Sequence, residues 1–294
     1  MECFDLDTLV NDSINFPDLY FTPEYGRVCE ISDLGKWEIC LYKDLMYAYI
    51  KIPLKDSVKI ITPYGYSGIY YKYESTLREF LPLFATKKSK ENITEEIIKQ
   101  SPYMDKNILS GFTIVKHKST FGVDLSRYNL FEDYIKQSHK DNKRGLNIAI
   151  KNHLNSVICL NPNKADLLLF KQIYKQTMEC LKADDYYFFN DDYFEALSAI
   201  PNLFYIHIYY DQTLIASAII IPYKKYLHYH LGASLEHYRK YRPNNYMHCE
   251  VIKYGIENNY DLYHLGGGLQ DNDGLYNFKK KISDTEFKYT IYKG

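Results

Sequence analysis

The sequence predicts an α/β protein made of two similar units in tandem. Short runs rich in Tyr, Ile and Val occur in groups of three with brief polar links, a spacing typical of antiparallel strands. Longer segments repeat apolar residues at helical spacing, which indicates amphipathic helices. The group of three runs occurs in the first half of the chain and again in the second, and this recurrence predicts two units.

The first half contains the first predicted meander. Its middle strand ends in Ile-x-Pro, and its third strand runs into the segment PYGY. Because the links are short, neighbouring strands are expected to be antiparallel. The predicted strands are Trp37–Tyr42, Leu45–Pro53 and Val58–Tyr66.

The second half repeats the meander between helices. A helix over Ala165–Lys182 is opened by Asn-Pro-Asn, and a shorter helix covers Asp192–Ala199. After the meander come a helix over Asn244–Asn258, a strand, a lysine-bearing helix and a last strand. The predicted strands are Leu203–Tyr210, Leu214–Pro222, Tyr226–Ser234, Leu262–Gly266 and Phe287–Tyr292. We therefore predict two α/β halves, 1–158 and 159–294, each with a mixed, mainly antiparallel sheet flanked by helices.

Composition excludes several classes of protein. Lys and Arg number 36 against 37 Asp and Glu, so no global charge attracts the chain to nucleic acid or to an anionic membrane. The six cysteines show no CxxC spacing, which argues against a zinc site and a disulfide framework and favours a reducing, cytoplasmic setting. No apolar run is long enough for a membrane segment or a signal peptide, although peripheral membrane contact stays open.

The segment YHLGGGLQDNDGLYNFKKKIS, residues 263–283, carries the strongest functional signal. Its predicted strand ends at Gly266, Gly267 and Gly268, an acidic loop follows, and then a helix with three consecutive lysines. A strand end without side chains lets a substrate approach the backbone closely. Helical spacing places Leu275, Phe278 and Ile282 on one apolar face and leaves the lysines on other faces.

These motifs resemble the FemAB-like branch of the GNAT acyltransferase superfamily. LGGG followed by GLYNFKKKI is similar to the terminal signature of that branch, and TPYGYSG in the first half is similar to a segment of envelope-polysaccharide enzymes. The resemblance implies two GNAT-like halves, with donor and catalytic groups in the second half and acceptor recognition in the first. It assigns the donor to the three glycines and to Phe278 and Lys279, and the acceptor to Tyr64, Gly65 and Tyr66.

The chain departs from typical GNAT enzymes before the helix at Asn244. Those enzymes carry a glycine-rich loop there for the pyrophosphate of coenzyme A, whereas this chain reads RKYRPNNYM without a glycine. Arg239 and Arg242 in this loop are candidate donor-binding residues. The donor therefore stays open between acetyl-CoA, which we favour, and an aminoacyl-tRNA.

Several side chains are candidates for proton transfer beside Lys279. His230 shares a strand face with His228, and Asp273 lies in the acidic loop. Either group can accept a proton, and we name His230 and Asp273 with Lys279 as catalytic candidates. The HxH pattern has no third ligand at a metal-binding spacing, so no metal is expected.

The predicted function is acyl transfer to an amino group. The resemblance implies an acceptor amine on a nucleotide- or lipid-linked sugar of bacterial envelope polysaccharide. One alternative is an aminoacyl-tRNA-dependent, Fem-type transferase of the peptidoglycan bridge, in which tRNA is a partner. The other is a sugar-nucleotide-binding protein that has lost catalysis.

Overall fold

The computed structural model describes residues 1–9, 14–103, 109 and 111–294. The strands are β1 (Glu2–Asp5), β2 (Lys36–Tyr42), β3 (Leu45–Pro53), β4 (Val58–Ile61), β5 (Ile69–Tyr70), β6 (Ile93–Lys99), β7 (Thr113–Asp124), β8 (Asn155–Cys159), β9 (Phe204–Tyr210), β10 (Thr213–Tyr223), β11 (Tyr226–Ser234), β12 (Leu262–Gly266) and β13 (Thr285–Lys293). The α-helices are α1 (Pro23–Asp33), α2 (Glu74–Lys90), α3 (Phe131–Gln137), α4 (Lys140–Lys151), α5 (Lys164–Leu181), α6 (Asp191–Ser198), α7 (Pro243–Glu257) and α8 (Gly274–Ile282).

The chain divides into two compact units. Unit 1 comprises residues 1–118, 191–199 and 288–294, and unit 2 comprises residues 119–190 and 200–287. This division differs from the predicted halves, 1–158 and 159–294. Residues 119–158 belong to unit 2 because β7 pairs with β12 and α4 packs on α7. Residues 191–199 and 288–294 belong to unit 1 because α6 packs on α1 and the end of β13 pairs with β6.

The two units share one order of elements. In unit 1 the antiparallel meander β2, β3 and β4 is followed by helix α2 and by β6, which pairs with β4 in parallel. In unit 2 the meander β9, β10 and β11 is followed by helix α7 and by β12, which pairs with β11 in parallel. Short links allow antiparallel pairing, whereas the helical crossover brings the fourth strand in parallel. The predicted fold class, a mixed sheet flanked by helices in each half, is confirmed.

The sheet of unit 2 is covered by a helix on each face. Phe204 of β9 contacts Tyr254 of α7, with ring centroids 5.1 Å apart. The next residue, Tyr205, contacts Phe170 of α5 at 5.7 Å. Because successive side chains of a strand point to opposite faces, α7 and α5 cover opposite faces of this sheet.

The third strand of the first meander is shorter than predicted. It ends at Ile61, and the segment PYGY forms a loop. Gly65 in this loop has a φ of 115°, and a Cβ there would overlap the Tyr20 ring. A backbone in this region favours glycine and does not continue a strand.

The expectation of reduced cysteines is wrong at one pair. Cys3 and Cys40 form a disulfide, and they face each other in the antiparallel pairing of β1 with β2. The sequence spacing could not reveal this pair because β1 is a four-residue edge strand that was not predicted. None of the helices in the described ranges is both long and apolar enough to cross a membrane.

Candidate active site

Two neighbouring strands of unit 2 separate next to Gly266, Gly267 and Gly268. β11 and β12 pair in parallel from Tyr226 and Leu262 to His228 and His264. Past this point β11 continues beside β10, whereas Gly266 at the end of β12 pairs with β7 on the other side. The two strands therefore separate beyond the histidine pair, which leaves backbone on both sides of the opening.

Each of the three glycines meets a local steric demand. Gly266 has a φ of 71°. A Cβ on Gly267 would lie 2.8 Å from the carbonyl oxygen of Ser119 on β7, and one on Gly268 would lie 2.6 Å from the Asp273 carboxylate. Larger residues would displace backbone or the following helix cap, so the local geometry itself favours the three glycines.

Asp273 caps the helix that follows. Its carboxylate accepts hydrogen bonds from the backbone N–H of Tyr276 at 2.6 Å and of Gln270 at 2.8 Å. Partial burial opposes ionisation, but these backbone donors outweigh it and lower the pKa of Asp273. A carboxylate committed to an N-cap with a lowered pKa is a poor proton acceptor, and the geometry favours a structural role for it.

Helix α8 buries a different face from the predicted one. Tyr276, Lys279 and Ile282 are buried, whereas Leu275 is 44% exposed and Phe278 is half-buried. The prediction that Leu275, Phe278 and Ile282 form the apolar face is therefore wrong for Leu275, and Lys279 is buried in its place. The Tyr276 ring packs on Phe121 of β7 at 4.7 Å, and Lys279 lies on the same buried face of the helix, three residues further on.

Lys279 is the buried cation of the site. The residue is only 6% exposed, and its Nζ donates a hydrogen bond to the carbonyl oxygen of Gly267 at 2.8 Å. Burial lowers the pKa of Lys279 to about 7, against the attraction of the Asp273 carboxylate. Lys280 and Lys281, by contrast, are exposed, and Lys281 pairs with Asp141.

Aromatic and imidazole groups surround this amine. The Nζ lies 5.5 Å from the centre of the Tyr229 ring, and that ring lies 4.9 Å from the ring of His248. His248 Nδ1 is 2.9 Å from the hydroxyl of Tyr263, and its ring lies 5.6 Å from that of Phe278. We call these five residues, Tyr229, His248, Tyr263, Phe278 and Lys279, the Lys279 cluster.

Three histidines of the site, His230, His248 and His264, are uncharged near neutral pH. Burial and the Lys279 cation lower the pKa of His248 to about 3. Burial and His228 lower the pKa of His230 to about 3, and burial lowers that of His264. A group that binds a proton only at such low pH is a weak general base, so the geometry gives little support to His230 in that role.

Sequence reasoning missed His248, Tyr229 and Tyr263. These residues belong to α7, β11 and β12, and only the parallel crossover brings them together. Tyr229 needs a further local feature, because its hydroxyl occupies the space that a Cβ on Gly232 would fill. No motif of contiguous residues signals this arrangement.

The two predicted donor arginines precede helix α7. Arg239 is exposed, and its guanidinium pairs with the Glu236 carboxylate at 3.2 Å. Arg242 is exposed and occupies the N-cap position of α7 with a φ of 61°. Both lie where the positive end of the helix dipole adds to their charge, which suits an anionic ligand.

The predicted acceptor residues lie in unit 1. The carbonyl oxygen of Tyr64 accepts a hydrogen bond from the Tyr25 hydroxyl at 2.7 Å. The ring of Tyr66 makes edge contacts with Tyr20 at 5.9 Å and with Tyr289 at 5.0 Å. These contacts hold the loop in one conformation, while the Lys279 cluster belongs to unit 2.

Comparison with known proteins places this site in a known fold. Residues 161–280 match the family model described as an acetyltransferase (GNAT) domain. No curated protein matches the sequence.

Solved structures match nearly the whole chain. FemX superposes with a TM-score of 0.68 at 13% identity, covering 93% of this chain and 92% of that one. L-PGS from Bacillus licheniformis gives 0.63 at 11% identity over 95% and 93%. The C-terminal domain of a putative lysylphosphatidylglycerol synthetase from Agrobacterium fabrum gives 0.62 at 12% identity over 92% and 91%. The predicted GNAT-like fold is confirmed, and residues 161–280 resemble a GNAT acetyltransferase domain, in line with the predicted FemAB-like acyltransferase.

Proposed function

We propose that the chain is an N-acyltransferase whose chemistry takes place at the Lys279 cluster. The acceptor is an amino group on a nucleotide- or lipid-linked sugar of the bacterial envelope, and acetyl-CoA is the favoured donor. The observation that carries the proposal is the buried Lys279 amine, bonded to Gly267 at the strand end where β11 and β12 part.

The reaction needs a donor group at the developing oxyanion. The acceptor amine attacks the acyl carbonyl, a C–N bond forms, and the bond from the carbonyl carbon to the sulfur or oxygen of the donor breaks. The leaving group takes up the proton that the amine loses. An ammonium group presents three N–H donors, so Lys279 retains donors for an oxyanion while it holds the Gly267 carbonyl.

Burial strengthens this contribution. A charge in a site that excludes water interacts more strongly with developing negative charge than the same charge in solvent. Lys279 is buried among Tyr229, His248 and Phe278, which supply no negative charge to neutralise it. The transition state would provide the missing counter-charge.

The donor is proposed to enter between β11 and β12. Where the ends of β11 and β12 separate, their backbone N–H and C=O groups can bind an extended pantetheine-like arm. The N-terminus of α7 comes after β11 in the chain and can interact with an anionic group. In this proposal the glycines form the floor, Phe278 walls the channel, and Arg239 and Arg242 bind the anionic end of the donor.

An aminoacyl-tRNA donor is the second candidate. The specific observation in its favour is the loop at residues 239–247, which has no glycine where coenzyme A-dependent relatives wrap the pyrophosphate. The similarity to structures named FemX and lysylphosphatidylglycerol synthetase is in line with aminoacyl transfer. In both versions, Tyr64, Gly65 and Tyr66 are proposed to recognise the acceptor.

A donor screen tests the proposal. Thermal shift and acyl-transfer assays would use coenzyme A and acetyl-CoA, UDP-linked amino sugars, and charged against uncharged tRNA. We expect transfer with one donor class and its loss in Lys279→Ala but not in the exposed control Lys280→Ala. Binding of sugar nucleotides without transfer from any donor would instead support the non-catalytic alternative.

A further inference from the structure

Cys159, Asp166 and His207 form a second polar cluster in unit 2 that shares no residue with the Lys279 cluster. Cys159 ends β8, Asp166 lies in the first turn of α5, and His207 lies in the middle of β9. One sulfur, one carboxylate oxygen and one imidazole nitrogen from these residues all lie within 4.8 Å of one another. Three elements therefore converge on a volume about the size of a coordination sphere.

The imidazole of His207 is oriented towards the other two residues. Its Nδ1 lies 2.9 Å from the hydroxyl of Ser217, whereas Nε2 lies 3.7 Å from Asp166 Oδ1, beyond hydrogen-bond distance. Nε2 is buried and has no hydrogen-bond partner within the described part of the chain. When Nδ1 donates its proton to Ser217, the lone pair of Nε2 faces the cluster, which is the tautomer that a metal ligand needs.

The carboxylate of Asp166 is also fixed in place. Its Oδ2 accepts a hydrogen bond from the backbone N–H of Asn163 at 2.8 Å, as part of the capping box of α5. Oδ1 is the oxygen that faces His207. The cap thus holds one oxygen on the helix and directs the other into the cluster.

This arrangement does not favour nucleophilic chemistry at Cys159. Within the described part of the chain no hydrogen bond joins the Cys159 sulfur to a His207 nitrogen, so the two do not form a nucleophile–base pair. The histidine nitrogen that faces the cluster lies against a carboxylate, and its other nitrogen bonds a serine. A cation between the sulfur, the oxygen and Nε2 would satisfy all three groups.

We propose that Cys159, Asp166 and His207 bind a divalent cation of the zinc class. A thiolate sulfur, a carboxylate oxygen and an imidazole nitrogen suit this ion, and a four-coordinate ion keeps its remaining position for water. The thiolate and the carboxylate together balance the charge of a divalent ion. Binding releases the thiol proton of Cys159 to solvent.

The bound ion would cross-link the edge strand of the sheet in unit 2 to its neighbours. β8 pairs with β9 and lies at the end of the strand order in unit 2, and α5 packs on β10 and β11. An ion held by Cys159, Asp166 and His207 joins the edge strand, its neighbour and the helix start. This departs from the expectation of no metal, because His207 is distant in sequence from Cys159 and Asp166 and the three residues match no metal-binding spacing.

Metal analysis of the full-length chain tests the proposal. The protein is purified without chelators, dialysed and analysed for bound metals, and apo protein is titrated with Zn²⁺ and with Co²⁺ as a spectroscopic probe. We expect about one ion per chain and a thiolate-to-cobalt charge-transfer band. Cys159→Ser should lose the band and the stoichiometric binding, whereas Cys180→Ser, which removes an exposed free thiol, should keep both.

A second variant distinguishes loss of the metal site from misfolding. His207→Gln keeps a side chain that can bond Ser217, and circular dichroism reports whether it remains folded. A folded His207→Gln protein that binds less than about a tenth of an equivalent supports the site. Unchanged binding in Cys159→Ser or in folded His207→Gln, or binding of no ion by the native chain, would overturn it.

Discussion

Replacing Lys279 by Met should make the folded protein more stable while making the enzyme inactive. Met has a similar length and no charge, so it fills the same space next to Tyr229. A structural lysine would give the opposite result, since its loss would cost stability. The sign of the change therefore separates a functional role from a structural one.

The magnitude follows from the pKa. Burial lowers the pKa of Lys279 from its ordinary value of 10.5 to about 7. A difference of that size means that protonated Lys279 costs the folded state about 5 kcal/mol relative to the neutral amine. Met removes this cost but leaves the Gly267 carbonyl without its donor, which costs about 1–3 kcal/mol. At pH 6 the free energy of unfolding should rise by about 2–4 kcal/mol.

The pH dependence of the free energy of unfolding tests the sign of the Lys279→Met effect independently. Between pH about 7 and 10.5 the unfolded chain binds the Lys279 proton and the folded chain does not, so native stability rises with pH across this window. The Met variant lacks this rise. Its advantage should therefore shrink as pH increases and become a small deficit above about pH 10, where only the lost hydrogen bond remains.

Chemical denaturation at pH 6 and pH 10 measures both values. Lys88 provides a matched control, because its Nζ pairs with the fully buried Glu96 at 2.7 Å. Lys88→Met strands a buried carboxylate and should lower stability by about 3–5 kcal/mol. If Lys279→Met lowered stability at pH 6 as Lys88→Met does, the account of Lys279 as a buried cation without a directly bonded carboxylate would be refuted.

The remaining predictions concern activity. Lys279→Ala should lower turnover roughly 10²-fold, the scale of losing one aimed donor, while Lys280→Ala has a small effect; equal losses would indicate a general basic patch. Turnover at saturating substrates should decline as pH rises through about 7, where Lys279 loses its proton, and Lys279→Arg should shift that decline upward if it folds. Gly267→Val should lower the melting temperature as well as activity, because its Cβ would lie 2.8 Å from a backbone carbonyl; a fully stable but inactive variant would contradict this. Tyr64→Ala and Tyr66→Ala should raise the acceptor KM at least about 10-fold with donor affinity unchanged, and calorimetric loss of donor binding would invert the proposed division of labour.

The strands of the meanders could be predicted because their patterns are local. β3, β11 and β12 have the predicted bounds, since alternation and flanking turns determine where such strands begin and end. β1 and β8 are short edge strands that depend on a neighbour for their pairing, and they were not predicted. The boundary between units was also beyond the sequence, because strand pairing across long separations decides it.

The candidate site was predictable only where its residues are contiguous. The glycines, Phe278 and Lys279 lie in one motif, and the structure brings Lys279 to Gly267. The rotation of α8 was not predictable from apolar spacing, since it depends on packing against residues distant in sequence, such as Phe121 against Tyr276. For Asp273 the sequence predicts a proton acceptor, since residue type does not distinguish a loop carboxylate from a helix cap, whereas the structure shows it capping α8.

The contrast between two lysines of this chain gives the strongest physical reason to assign function to Lys279. Lys88 reaches a buried carboxylate, so its charge and that of Glu96 compensate each other. Lys279 is more buried, yet its Nζ bonds only a neutral carbonyl among the contacts described, and the carboxylate of Asp273 is occupied with backbone N–H groups. A cation in such surroundings destabilises the fold, and stability alone gives no reason to retain it. In the proposed reaction, an oxyanion that exists only during acyl transfer would supply the counter-charge, so the cost to the folded state and the gain in the transition state would have the same physical origin.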